Sequence, residues 1–159
     1  MFDLVFYAPC IPSNTGNAIR LAAVTGVRLH LVEPLGFELT DAKLRRSGLD
    51  YHDLAVMKVH RDFDALLGAL TTQPGPARRI WAFSTEATTA YNSISYQPDD
   101  VLLFGPEPDG LPVSIKHHGA VTAQLRIPML PARRSLNLAN SASIVVYEAW
   151  RQNDFAGGL

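Results

Sequence analysis

The chain has 159 residues, of which 47% are hydrophobic and 18% charged; that is enough apolar material for one core at single-domain length, and it excludes a disordered chain. Fourteen basic residues against fifteen acidic ones leave a net charge of −1, so overall charge gives no argument for nucleic-acid binding. The lone cysteine, Cys10, excludes an internal disulfide, no Cys/His spacing suggests a metal, and no apolar run reaches the roughly 18 residues of a membrane span. Met1-Phe2-Asp3 lacks the basic start of a secretory signal, so a soluble cytoplasmic protein is expected, with neither membrane nor metal among its partners.

Leu4 to Tyr7 is a short apolar run that ends in the turn-rich Ala8-Pro9-Cys10-Ile11-Pro12-Ser13, which predicts a buried strand leaving a sheet. A helix follows. Asn14 is placed to cap it, Ile19, Ala22 and Ala23 supply its apolar face, and Gly26 ends it in the left-handed conformation. Arg28 to Val32 reads as the next strand. Thr40 is placed to cap a short helix through Arg46, Ser47 to His52 reads as a loop, and Val56 to Val59 as a brief strand. Phe63, Leu66, Leu67 and Leu70 recur at helical spacing up to the breaker Gln73-Pro74-Gly75-Pro76. Ile80 to Phe83, Val101 to Phe104 and Leu125 to Ile127 have the length and content of strands. The last helix is expected over Leu138 to Gln152, apolar around much of its circumference through Ile144, Val145, Tyr147 and Trp150. Short apolar strands alternating with helices predict an α/β fold, a mostly parallel sheet covered on both faces, in one domain spanning residues 1–159. Ligands bind such sheets in loops at the carboxyl ends of strands.

Three loops at that position carry unusual residues. In Asn14-Thr15-Gly16-Asn17-Ala18-Ile19-Arg20, the arginine lies under two turns from the helix start, where an anion is also favoured by free N–H groups; a capping Asn with a surface Arg is the alternative. In Phe104-Gly105-Pro106-Glu107-Pro108-Asp109-Gly110-Leu111-Pro112, glycines permit close backbone approach and prolines stiffen the turn that presents Glu107; a plain strand-to-helix connection is the alternative. In the segment from Ile127 to Ser141, Ser135, Asn137, Asn140 and Ser141 gather at a helix start behind Arg133-Arg134, more hydroxyls and amides than a cap needs. Eleven of the fourteen basic residues are arginine, clustered at 43–46, at Arg78-Arg79 and at Arg133-Arg134; their planar forks suit phosphate, or simply make solvated faces. No GxGxxG, Walker A or GxSxG pattern is present, His117-His118 make a poor metal pair, and Cys10 reads as a packing residue.

Taken together, Ile11-Pro12-x-Asn14-Thr15-Gly16-Asn17-x-Ile19-Arg20, Leu44 to His52, Phe104-Gly105-Pro106-Glu107 and Val146 to Gln152 resemble the motifs of the SPOUT methyltransferases in their SpoU branch, over nearly the whole chain. Within that branch the resemblance is to the YibK/TrmL-like group, tRNA 2′-O-methyltransferases of the wobble cytidine or uridine of certain leucine tRNAs. The resemblance implies a trefoil knot over about residues 80–150. It also implies S-adenosyl-L-methionine as cofactor, with S-adenosyl-L-homocysteine as product, held at Phe83, Gly105, Ile127, Ser135 and Leu136. It implies a homodimer in which Arg20 of one subunit faces the cofactor of the other. The candidate catalytic set is Asn14, Arg20, Glu107, Ser135 and Asn137, and the candidate tRNA contacts are Arg45, Arg46, Arg133, Arg134 and Tyr147.

Arginine holds its proton too tightly to serve readily as a base, so Arg20 is expected to stabilise the developing alkoxide or the adjacent phosphate while the other four fix geometry. Two positions depart from the pattern: Pro108-Asp109 stands where Thr-Arg is usual, and Glu86 where a basic residue is common. Both add negative charge, which bears on RNA affinity. A catalytically inactive RNA-binding module of the same fold, or a flavodoxin-like nucleotide-binding domain, are the competing readings.

Overall fold

A strand buried along its whole length needs cover on both faces, and β1 (Asp3–Tyr7) is of this kind, with Asp3 to Phe6 all buried. The computed structural model describes residues 1–39, 57–72, 75 and 77–159. Along these, β1 is followed by α1 (Pro12–Thr25), β2 (Arg28–Val32), β3 (Met57–His60), α2 (Phe63–Thr71), β4 (Ile80–Phe83), β5 (Thr89–Ala90), β6 (Val101–Phe104), α3 (Val113–Lys116), β7 (Val121–Arg126) and α4 (Leu138–Gln152). The strands form one sheet in the order β3-β2-β1-β6-β4-β7-β5, every described pairing parallel. The α/β expectation holds.

Alternation along each strand sorts the core into two layers. Leu4, Phe6, Leu29, Leu31, Leu102 and Phe104 point to one face, where they meet Ile19 and Ala22 of α1 and Val145 and Val146 of α4. Val5, Val32, Val101 and Leu103 point to the other, against Phe63, Leu66 and Leu70 of α2 and Ile115 of α3. Asp62 caps α2, its carboxylate accepting from the Ala65 N–H at 2.7 Å.

Four elements differ from expectation. The strand expected over Leu125 to Ile127 is β7, Val121–Arg126, and Ile127 lies beyond its end. Its first half alternates Thr and Gln with partly exposed Val and Ala, so no continuous apolar run marks it. β5 and α3, at two and four residues, are too short to carry a period. At the start of α1, Ile11 occupies the cap position and Pro12 the first turn, so Asn14 is not the cap. The helix at Thr40 to Arg46 and the loop at Ser47 to His52 lie outside the described residues.

The amino ends of the strands are bound by charge. Asp3, wholly buried, accepts from Arg28 Nε at 2.7 Å and Arg78 Nη1 at 2.6 Å, and its Oδ1 lies 2.9 Å from His30 Nε2. Arg79 donates to both oxygens of buried Asp100, at 2.8 and 2.6 Å, and Trp81 Nε1 adds 2.9 Å to the same carboxylate. Arg78-Arg79 is therefore no phosphate contact: both guanidiniums are spent on buried carboxylates at the edge of the sheet opposite the loops described next.

Candidate active site

The carboxyl ends of four adjacent strands, β1, β6, β4 and β7, open onto one cavity of about 390 Å³. That lies at the small end of the roughly 300–1,000 Å³ usual for small-molecule clefts. The three loops singled out from sequence all reach it, and a fourth, Ser84 to Glu86 after β4, joins them. Phe83, Gly105, Ile127, Ser135 and Leu136 all line it, as do Asn14, Glu107 and Asn137.

One polar chain ties three of these loops together. Glu107 Oε1 accepts from Asn14 Nδ2 at 2.9 Å and from the Ile11 N–H at 3.1 Å, and Oε2 accepts from the Cys10 N–H at 2.7 Å. Two N–H groups just ahead of α1 are thus satisfied by a side chain 96 and 97 residues away, and the Asn14 side chain turns to that same carboxylate instead of capping the helix. Asn14, 2% exposed, uses the other end of its amide to accept from Asn137 Nδ2 at 2.8 Å. Asn137 in turn caps α4, its Oδ1 accepting from the Asn140 N–H at 3.2 Å. Both carboxylate oxygens of Glu107 and both ends of two amides are occupied, so these three side chains are built to hold the loops in register.

The tight turn after β6 needs Gly105. A Cβ there would collide with the backbone of Gly110 and Leu111. Cys10 is exposed and not a packing residue: its backbone, not its thiol, serves the site.

Arg20, Arg133, Arg134 and Tyr147 lie outside the cavity. Arg20 is exposed on α1 and does not line it. Arg133 and Arg134 are exposed on the loop that supplies Ser135, and Tyr147, 46% exposed on α4, meets Trp150 edge to face with centroids 5.8 Å apart. Arg45 and Arg46 lie outside the described residues. Sequence reasoning passed over Lys116, which lines the cavity and donates to Glu86 Oε2 at 2.6 Å. That hydrogen bond, with the ammonium's charge, holds the Glu86 carboxyl below its ordinary range. Only a fold that brings α3 beside the loop after β4 reveals the pair, although the acidic oddity at Glu86 was visible. Among the described residues no cluster of His, Cys, Asp and Glu could hold a metal, and no helix is long and apolar enough to cross a membrane.

A family model described as the SpoU rRNA Methylase family matches residues 1–147. A tRNA (cytidine(34)-2′-O)-methyltransferase of Methylovorus glucosotrophus is 51% identical over 159 residues, all of both chains. A solved structure described by the 2-OH methylation of C/U34 on tRNA superposes with a TM-score of 0.87 at 41% identity, over 98% of this chain and 97% of that one. The SpoU methyltransferase AviRb of Streptomyces viridochromogenes, solved with AdoMet, shares the fold at 23% identity, with a TM-score of 0.83 over 99% of this chain and 58% of its own.

Proposed function

Since the chain belongs to the SpoU rRNA methylase family, we propose that it is an S-adenosyl-L-methionine-dependent tRNA 2′-O-ribose methyltransferase that acts on cytidine or uridine 34, in leucine tRNAs, in the cytoplasm. The observation that carries this reading is the Glu107–Asn14–Asn137 chain, which draws three loops around one cavity at the carboxyl edge of the sheet. Full-length identity of 51% to a C34 methyltransferase supports the substrate.

The cavity residues fit the methyl donor. Phe83, Phe104, Leu111, Ile127 and Leu138 make apolar walls suited to a flat base, and Gly105, Ser135 and Leu136 offer backbone and hydroxyl groups beside them. Bound there, the sulfonium supplies a methyl group that is already electrophilic, so positioning of the ribose oxygen can provide much of the rate.

Asn14, Glu107 and Asn137 hold the loops, and Ser135 lies at the mouth. Arg20, outside the cavity of its own chain, stabilises the developing alkoxide or the adjacent phosphate in the site of a partner subunit. The exposed Ile144 and half-buried Trp150 on α4 give the homodimer an apolar surface. Arg133, Arg134, Tyr147 and, beyond the described residues, Arg45 and Arg46 meet the tRNA. One domain spans residues 1–159, knotted over about 80–150. The placement of β6 between β1 and β4, with α4 returning to pack on β6 and α1, supports that path.

Incubation with tRNA and methyl-labelled donor, followed by digestion to nucleosides, is expected to yield 2′-O-methylcytidine or 2′-O-methyluridine from position 34. Label on a base, or at another position, would sink the reading.

A further inference from the structure

We propose that Glu86 and Lys116 form the subsite for the amino-acid end of the methyl donor, Lys116 taking its carboxylate and Glu86 its ammonium. The assignment rests on the methyltransferase reading and extends it to side chains. The donor carries three formal charges: a sulfonium, an α-ammonium and an α-carboxylate. A carboxylate brought into a half-enclosed cavity needs a cation or several donors beside it. Among the described residues that line this cavity, Lys116 is the one cationic side chain. Against it stand three carboxylates, Glu86, Glu107 and Asp109. Glu107 has both oxygens engaged by Cys10, Ile11 and Asn14, so its charge is fixed in the frame of the site.

Lys116 is held for this work. Its N–H bonds to the Pro112 carbonyl at 2.9 Å and its own carbonyl accepts from Gln124 Nε2 at 3.4 Å, which sets the ammonium's stem at the end of α3. The side chain is only 13% exposed, whereas that of Glu86 is 75% exposed. A pair with one arm so open to water is held weakly and can part with little loss. A zwitterion entering between the two groups replaces each one's partner with another of the same sign, so no charge is left alone. Opposite charges 2.6 Å apart on a cavity wall are thus a closed form of a site for an α-amino acid group. α3 also follows directly on the loop that begins at Gly105, which places the subsite and the apolar part of the cavity on one continuous segment.

Titration calorimetry of the full-length protein with S-adenosylhomocysteine and with 5′-methylthioadenosine, which lacks the amino-acid end, tests the assignment. Wild-type protein is expected to prefer S-adenosylhomocysteine. Lys116→Met is expected to weaken that ligand by about tenfold or more while leaving 5′-methylthioadenosine unchanged, with Lys116→Arg restoring most of the preference. Glu86→Gln is expected to narrow the preference in the same direction. Equal weakening of both ligands in Lys116→Met, or no weakening of either, overturns the subsite. Wild-type protein that binds neither ligand overturns the methyltransferase reading together with it.

Discussion

Asn14 uses both ends of its amide at once, donating to Glu107 and accepting from Asn137, at 2% exposure. Asn14→Ala removes two part-buried hydrogen bonds, one to the half-buried Glu107 carboxylate and one from the exposed Asn137 amide, at about 0.5–1.5 kcal/mol each. Asn14→Asp is nearly isosteric but sets a second carboxylate against Glu107 and cannot donate to it. Urea denaturation at neutral pH is expected to find the aspartate at least as destabilising as the alanine; a near-neutral aspartate would show that the 2.9 Å contact carries no weight. Gly105 is constrained differently, because the obstruction is its own loop. Gly105→Ala is expected to abolish S-adenosylhomocysteine binding in calorimetry while the sheet, read by far-ultraviolet circular dichroism, survives, since the collision with Gly110 and Leu111 lies beyond the end of β6.

Elements here differ in how plainly residues declare them. α4 was legible as a helix from about Leu138 to Gln152, because its buried positions recur at helical spacing, and Asn137 caps it. β7 was misplaced because it is half-exposed and mixes Thr and Gln with Val and Ala. At the opposite ends of the strands, burial pushes the Asp3 carboxyl up, but hydrogen bonds from His30 and Arg28 outweigh it and hold the pKa at about 2. Burial, with the charges of His30 and Lys58, pushes the His60 imidazole down. Its Nε2 lies 2.9 Å from His30 Nδ1, so β1, β2 and β3 share one buried polar line. Both folded-state values lie below their unfolded ones, so both groups add stability that is complete above the unfolded value and is lost on acidification. For Asp3, falling from 3.8 to about 2, this amounts to about 2 kcal/mol, lost between about pH 4 and pH 2. Thermal melts across pH are expected to drop first below about pH 6.5 as His60 protonates, then again below about pH 4. His60→Gln should remove the first drop and Asp3→Asn the second; unchanged profiles would show that neither group is linked to folding.

At the scale of the whole molecule, the cavity and Arg20 lie apart on one chain, yet the proposed reaction needs them together. A two-fold dimer resolves this if each subunit lends its arginine to the other. Coexpressed Arg20→Ala and Asn137→Ala chains then form a mixed dimer in which one site carries both defects and the other none. Each variant alone is expected to be nearly inactive in methyl transfer to tRNA, and the mixture to recover a substantial fraction of wild-type turnover. No recovery from mixtures shown by mass spectrometry to contain mixed dimers would place Arg20 in its own subunit's site. The negative departures at Glu86 and Asp109 also take on a different meaning at this scale: both line the donor cavity, where Glu86 is paired with Lys116.

The order of apolar runs by itself determined the α/β class, the parallel sheet and the strand ends where a ligand binds, because burial on two faces writes a short continuous apolar run into strands such as β1, β4 and β6. The spacing of Asn14, Gly105, Glu107 and Asn137 likewise marked the loops. What the tertiary structure alone decided is how these side chains are used. Glu107 serves a helix start 97 residues away, Lys116 meets Glu86 across 30, and Arg78-Arg79 turns to buried carboxylates instead of phosphate. Hydrogen bonds and ion pairs act over about 3 Å in space, and no local pattern in a chain records which distant segments the fold will bring that close.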